Sequence, residues 1–314
     1  TTKLEKGTYV YQTLSELARR TQGPALAQLK RLGVEHRAYW VANMIWVRGG
    51  MGAVQAMAQR SDVAHVYANP WVRLDEPVAP VQTLVPEVDG IRWNNIALVN
   101  ADDVWAAGYA GQGVVVGGQD TGYLWDHAAL INQYRGWNGE TADHNYNWHD
   151  AIHADDDPID ADCGVNTTAP CDDYGHGTHT MGTMVGDDGG VNQIGMAPQA
   201  RWIGCRNMLE GFGSPAAYTE CYQWFIAPTD LEGKNPRPDL APDVINNSWS
   251  CTVGEGCEST NPTILLEVVQ NVRTAGILTV HSAGNTGPAC STISAPAAIY
   301  DESYTVGSVN QYDI

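Results

Sequence analysis

An α/β fold, with a mainly parallel sheet flanked by helices and a small ferredoxin-like α+β unit in front of it, is what this sequence predicts. Three observations predict it. Beyond about residue 110, short β-rich apolar runs alternate with helical stretches, the signature of parallel strands joined by crossover helices. The first 73 residues read instead as a compact β-α-β-β-α-β order. Charge divides near the same boundary: residues 1–78 carry ten Lys and Arg against six Asp and Glu, and residues 79–314 carry seven against thirty.

In the first unit, residues 1–73, Thr8-Tyr9-Val10-Tyr11 reads as a strand. Leu14, Leu17 and Ala18, then Leu26, Leu29 and Leu32, recur at helical spacing, with Gly23-Pro24 as a break between them. Arg37 to Val47 is rich in aromatic and β-branched residues around Ala42-Asn43 and predicts a hairpin. A short helix over Ala53–Gln59 and a strand over Val63–Tyr67 complete the order. Residues 74–91 contain Pro77, Pro80 and Pro86 and read as an extended linker.

The second unit, residues 92–314, supplies strands at Gly113–Gly118, Arg201–Arg206, Asp243–Ser248, Ile277–Ser282 and Tyr304–Val309. Helices are expected over Thr178–Val185, Pro215–Phe225 and Pro262–Thr274. In such sheets ligands bind outside the carboxyl ends of the strands, so chemistry-bearing residues are sought just after each strand.

A net charge of −19 with so few basic residues in the large unit argues against nucleic acid as a partner. No run of about 18 uncharged apolar residues, the length a membrane span needs, is present. The opposite charge of the two units suggests mutual attraction, although an acidic surface also simply aids solubility. The seven cysteines, at 163, 171, 205, 221, 251, 257 and 290, contain no CxxC pair. They read as disulfides of an exported chain, most simply Cys163–Cys171, Cys205–Cys221 and Cys251–Cys257, with Cys290 left over.

Four short motifs carry candidate chemistry. Asp120 follows Val114-Val115-Val116 in GGQDTG, a carboxylate held at a strand exit. GHGTHTMG places His176 where a helix begins among small residues. HSAGNTGP sets Asn285 in a glycine-flanked turn after a strand, with Ala283 and Gly284 before it. INNSWS ends a further strand in Ser248, Trp249 and Ser250, whose backbone could pair with an extended peptide. Singly, each has a plain structural explanation, as an Asx turn, a structural histidine or a turn asparagine. His176 and His179 at i and i+3 also raise metal ligation, but HExxH with its glutamate is absent, and no metal site is assigned.

In this order, the motifs resemble those of the subtilase family of serine endopeptidases, within it the bacillopeptidase F type of extracellular bacterial enzymes. The resemblance covers nearly the whole chain. It implies that Asp120 and His176 are catalytic, that Asn285 stabilises the oxyanion, and that Ser248, Trp249, Ser250, Ala283 and Gly284 bind polypeptide substrate. It implies that residues 1–73 are an inhibitory prodomain released by cleavage in the linker. No cofactor is required. A structural calcium ion is common in the family, and Asp155-Asp156-Asp157 with Asp160 and Asp162 would be its candidates; an acidic solvated loop is the simpler reading.

The chain departs from the family pattern in two respects. No GTSxAxP motif is present, and Ser248, Ser282 and Ser308 all stand elsewhere in the pattern. The expectation is therefore a catalytic domain incomplete at its C-terminus. Its nucleophile would be supplied by sequence outside this chain, either as a second chain or lost by truncation, and the chain alone would be inactive. Ser250 stands where the family usually has glycine. The rival expectation is a non-catalytic peptide-binding or inhibitor protein.

Overall fold

The computed structural model describes residues 1–74, 95–153, 162–190, 194–250 and 263–308. The chain opens with helix α1 (Lys3–Thr21), started by a capping box in which Thr2 Oγ1 accepts from the Glu5 amide and Glu5 accepts from the Thr2 amide. Helix α2 (Gly23–Leu32) follows after Gln22, with Pro24 in its first turn, and Gly33 at φ 65° ends it. Strands β1 (Glu35–Tyr39) and β2 (Met44–Arg48) form the expected antiparallel hairpin, turned by Asn43 at φ 47°. Helix α3 (Met51–Ala58) comes next, then strand β3 (Val72–Arg73).

Two expected strands of this unit are corrected. Thr8–Tyr11 lies inside α1, because Gly7, Val10, Leu14 and Ala18 recur at helical spacing and turn one face inward. That face outweighs the β propensity of four residues. Val63–Tyr67 forms no strand, and Val66 and Tyr67 are exposed. The observed order is α-α-β-β-α-β, with helix in place of the first strand of the expected β-α-β-β-α-β and the last strand at Val72–Arg73.

The larger unit begins with short helices α4 (Asn95–Leu98) and α5 (Ala101–Ala106). Strands β4 (Val115–Asp120) and β5 (Trp148–Asp150), helix α6 (His176–Val185) and strand β6 (Arg201–Arg206) follow. A tight antiparallel pair, β7 (Met208–Leu209) and β8 (Phe212–Gly213), precedes helix α7 (Pro215–Ile226). Strand β9 (Val244–Asn247), helix α8 (Leu266–Thr274) and strands β10 (Leu278–Ser282) and β11 (Tyr304–Val306) complete it.

Among the described residues, six strands make one sheet in the order β11-β10-β9-β4-β6-β5, every pairing parallel. Helices cover both faces. Ile203, Tyr222, Phe225, Ile245, Val269 and Val272 build the core shared with α7 and α8, and Val116, Tyr123, Met181, Val185 and Trp202 build the core shared with α6. Close helix packing needs the glycines of β4: a Cβ at Gly117 would lie 2.9 Å from the Phe225 ring on α7, and one at Gly118 2.7 Å from Met181 on α6. Because every strand runs the same way, the ends of β4, β6, β9 and β10 share one edge. Strand β5 is too short for its sequence to have announced it.

The expected disulfides Cys163–Cys171 and Cys205–Cys221 form, the second joining β6 to α7. Cys290 is exposed and forms no disulfide among the described residues. Cys251, Cys257, Asp155–Asp157, Asp160 and most of the expected linker lie outside those residues. Among the described residues, no helix is long and apolar enough to cross a membrane.

Among the described residues, contacts along the first unit dock it on the larger one. Lys3 at the start of α1 pairs with Asp243. At the hairpin turn, Trp40 and Val41 amides donate to Gln223 on α7, at 2.6 and 3.2 Å, and Asn271 on α8 donates to the Val41 carbonyl. Strand β3 pairs antiparallel with β8, and the Leu74 amide continues the ladder to Gly211 O at 2.7 Å.

Candidate active site

Asp120 ends β4 fully buried, and His176 opens α6 behind Gly175, whose φ of 89° is a left-handed conformation that favours glycine. His176 Nδ1 lies 2.7 Å from Asp120 Oδ1. The same oxygen accepts from the Thr121 amide at 2.7 Å, and Oδ2 accepts from the Thr180 hydroxyl at 3.2 Å. The carboxylate is thus fixed on both oxygens, and the imidazole is fixed through Nδ1. About a quarter of the His176 side chain remains exposed. The approach of α6 depends on Gly177, where a Cβ would meet Gly122 O at 2.1 Å and the Asp120 Cβ at 3.1 Å.

This arrangement has a defined chemical capacity. A buried carboxylate accepting from one ring nitrogen fixes the tautomer and stabilises the imidazolium, so the other nitrogen can take up and return a proton.

The remaining sequence-predicted residues follow neighbouring strands at the same edge. Ser248 follows β9, the strand beside β4, and its hydroxyl accepts from Asn246 at 2.9 Å. Trp249 is buried, its ring stacked on Tyr218 with centroids 3.9 Å apart, and Ser250 is buried too. Ala283, Gly284 and Asn285 follow β10, one strand further on. The Ala283 amide still bonds Val306 O, Gly284 turns the chain at φ 80°, and Asn285 is exposed. His179 is exposed on α6, and among the described residues no group of three or more His, Cys, Asp and Glu is placed to hold a metal ion.

Sequence reading missed two polar clusters. Beneath the sheet edge, Gln119 donates to Asn247 at 2.5 Å, Tyr222 donates to the same oxygen at 2.8 Å, and Asn207 donates to Gln119 at 3.1 Å. These bonds tie β4, β9, α7 and the exit of β6 together below Asp120. His281 borders them, and burial lowers its pKa to about 3, so it is neutral. On α7, buried Glu220 sits within 3.0 Å of the Nε2 atoms of both His149 and His153. Burial opposes the charge on Glu220, but the hydrogen bonds and charges of the two imidazoles outweigh it and hold the carboxyl well below its usual range. Burial likewise opposes charge on His153, yet Glu220 and Asn166 push its pKa up to about 9. An alternating strand pattern gives no signal for such residues, because each finds its partners in other segments.

Residues 111–313 match the model of the subtilase family, Peptidase S8. The chain belongs to the subtilase family. It is 34% identical to Bacillopeptidase F of Bacillus subtilis (strain 168) over 98% of this chain and 21% of that protein. It is 31% identical to the Major intracellular serine protease of the same organism, over 68% of this chain and 57% of that protein. The chain therefore spans less than two thirds of both relatives. The crystal structure of an epidermin leader peptide processing serine protease from Staphylococcus aureus aligns with a TM-score of 0.63 at 14% identity, over 93% of this chain and 68% of that one. That likeness concerns the fold.

Proposed function

We propose that this chain is the N-terminal part of a secreted serine endopeptidase that hydrolyses peptide bonds through an Asp-His-Ser mechanism. The observation that carries the reading is the 2.7 Å contact between buried Asp120 and His176 at the carboxyl edge of the parallel sheet. His176 is the general base that removes the serine proton and returns it to the leaving amine, and Asp120 orients the imidazole and stabilises its charged form. Asn285 donates to the tetrahedral oxyanion. Every catalytic group is a protein group, so no cofactor is required.

None of the serines of these 314 residues stands in a GTS motif, so the nucleophile comes from sequence outside them. Polypeptide substrate lies extended along the backbone of Ser248, Trp249 and Ser250 on one side, and Ala283, Gly284 and Asn285 line the scissile bond. The pairing of β3 with β8 supports a product-like seat for the end of the first unit. Residues 1–73 accordingly act as an inhibitory prodomain, released by cleavage in the 74–91 segment. The two disulfides agree with an exported protein.

A serine-directed fluorophosphonate tests the reading. It should label the full-length protein on a serine outside these residues, and leave the isolated 314-residue chain unlabelled. Labelling of a serine within the chain, or none in the full-length protein, overturns it.

A further inference from the structure

Asp172 is a carboxylate that the mechanism above does not use. It follows the Cys163–Cys171 disulfide and precedes His176 by four residues. Its Oδ1 accepts from the Thr121 hydroxyl at 2.8 Å, the Gly175 amide at 2.8 Å and the Tyr174 amide at 3.2 Å. Its Oδ2 accepts from the Thr178 amide at 2.9 Å and the Thr178 hydroxyl at 2.5 Å. Thr121 directly follows Asp120, and Gly175 directly precedes His176. One carboxylate therefore grips the residue next to each member of the pair.

The joint is closed by further bonds. The Gly177 amide donates to Thr121 Oγ1 at 2.9 Å, the Leu124 amide donates to Thr178 Oγ1 at 2.9 Å, and the Tyr123 amide donates to Cys171 O at 3.1 Å. Asp173, beside it, is engaged instead by Arg206 at the end of β6. Tyr123 is buried against the joint and faces the charges of both Asp120 and Asp172; with burial first, these push its phenol well above the usual value and keep it neutral. A carboxylate that only capped α6 would satisfy the amides of that helix and its preceding turn. The bond to Thr121 reaches a different segment, the one that carries Asp120.

We infer that Asp172 is a positioning residue: by clamping the exit of β4 to the start of α6, it sets the separation of Asp120 and His176 and hence the basicity of His176. This rests on the endopeptidase reading. Loss of the clamp loosens the Asp120–His176 contact, stabilises the imidazolium less and lowers the pKa of His176. A misplacement of about 1 Å is enough to cost about 10²-fold in rate.

The test uses the full-length protein and a peptide substrate. Asp172→Ala should lower kcat by about 10- to 100-fold with KM changed less than about twofold, and should move the acid limb of the kcat/KM profile to lower pH. Thr121→Val, which removes the bridging hydroxyl, should reproduce part of both effects, and Thr121→Ser, which keeps it, should restore them. The Thr121 pair carries the test if Asp172→Ala does not fold. A fall in melting temperature with kcat and pH profile unchanged would make Asp172 a helix cap alone and overturn the inference. Asp120→Asn and His176→Ala run beside them: wild-type turnover in these two would refute the endopeptidase reading itself, whereas their inactivity with unaffected Asp172→Ala and Thr121→Val would refute only the clamp.

Discussion

The Tyr39 hydroxyl donates to Glu220 Oε2 at 2.8 Å, joining the hairpin of the first unit to helix α7 of the larger one. Glu220 is buried and already receives His149 and His153, so Tyr39 ties the first unit into this polar cluster at the boundary. Hydrogen bonds to a charged group contribute about 1.5–3 kcal/mol. Tyr39→Phe should therefore raise the fraction of molecules with an unblocked cleft by about tenfold or more. The initial rate of fluorophosphonate labelling of the unprocessed full-length protein reads this directly. An unchanged rate would mean that this cluster does not hold the first unit in place.

The same cluster gives a stability signature. His153 is raised to about 9, above its unfolded value of about 6.5, so its contribution is complete below pH 6.5 and disappears as pH climbs through 9. Glu220 is depressed, so its contribution is complete above about pH 4.5 and is lost as pH falls below that. Both act together between about pH 4.5 and 6.5. The denaturation midpoint lost on His153→Gln should be largest in that window and shrink toward pH 9. A loss that grows with rising pH would contradict the assignment.

His281 works in the opposite direction. Burial depresses its pKa to about 3, so between about 3 and 6.5 the unfolded chain binds a proton that the folded chain refuses. Stability should fall as pH drops through that range, by at most about 1.4 kcal/mol per pH unit from this residue. His281→Gln should flatten this slope in urea titrations at pH 7 and 5. An identical slope in the variant would show that His281 titrates normally.

Gly177→Ala should disable the site while leaving its polar groups intact. The added methyl would meet Gly122 O at 2.1 Å, and a backbone oxygen cannot swing away. Helix α6 must retreat, carrying His176 from Asp120, and turnover should fall by about 10²-fold or more. Normal turnover in this variant would mean that the β4–α6 contact tolerates a shift.

Much of the sheet is legible in the sequence, for a physical reason. Arg201–Arg206 is a β-rich run buried on both faces, Ile277–Ser282 is one buried at every second residue, and Pro215 marks the start of α7 behind its Ser214 cap. The motifs around Asp120 and His176 carry glycines whose close contacts leave no room for a side chain, so the pair is legible too. Thr8–Tyr11 is not, because its β-prone residues are overruled by an inward face spread across all of α1 and by a box formed at Thr2. Trp148–Asp150 becomes a strand only because β6 lies beside it. Asp172 and Glu220 read as ordinary acidic residues, since their partners come from other segments of the chain.

The most direct measurement of the central claim is the turnover of His176→Ala and Asp120→Asn in the full-length protein on a peptide substrate, with folding verified by an unchanged melting temperature. In subtilisin, losing the histidine alone costs about 10⁶ and the aspartate about 10⁴ in kcat, and losses of that order are expected here. Turnover within about tenfold of wild type in either variant would contradict the assignment of this pair as the acid–base centre.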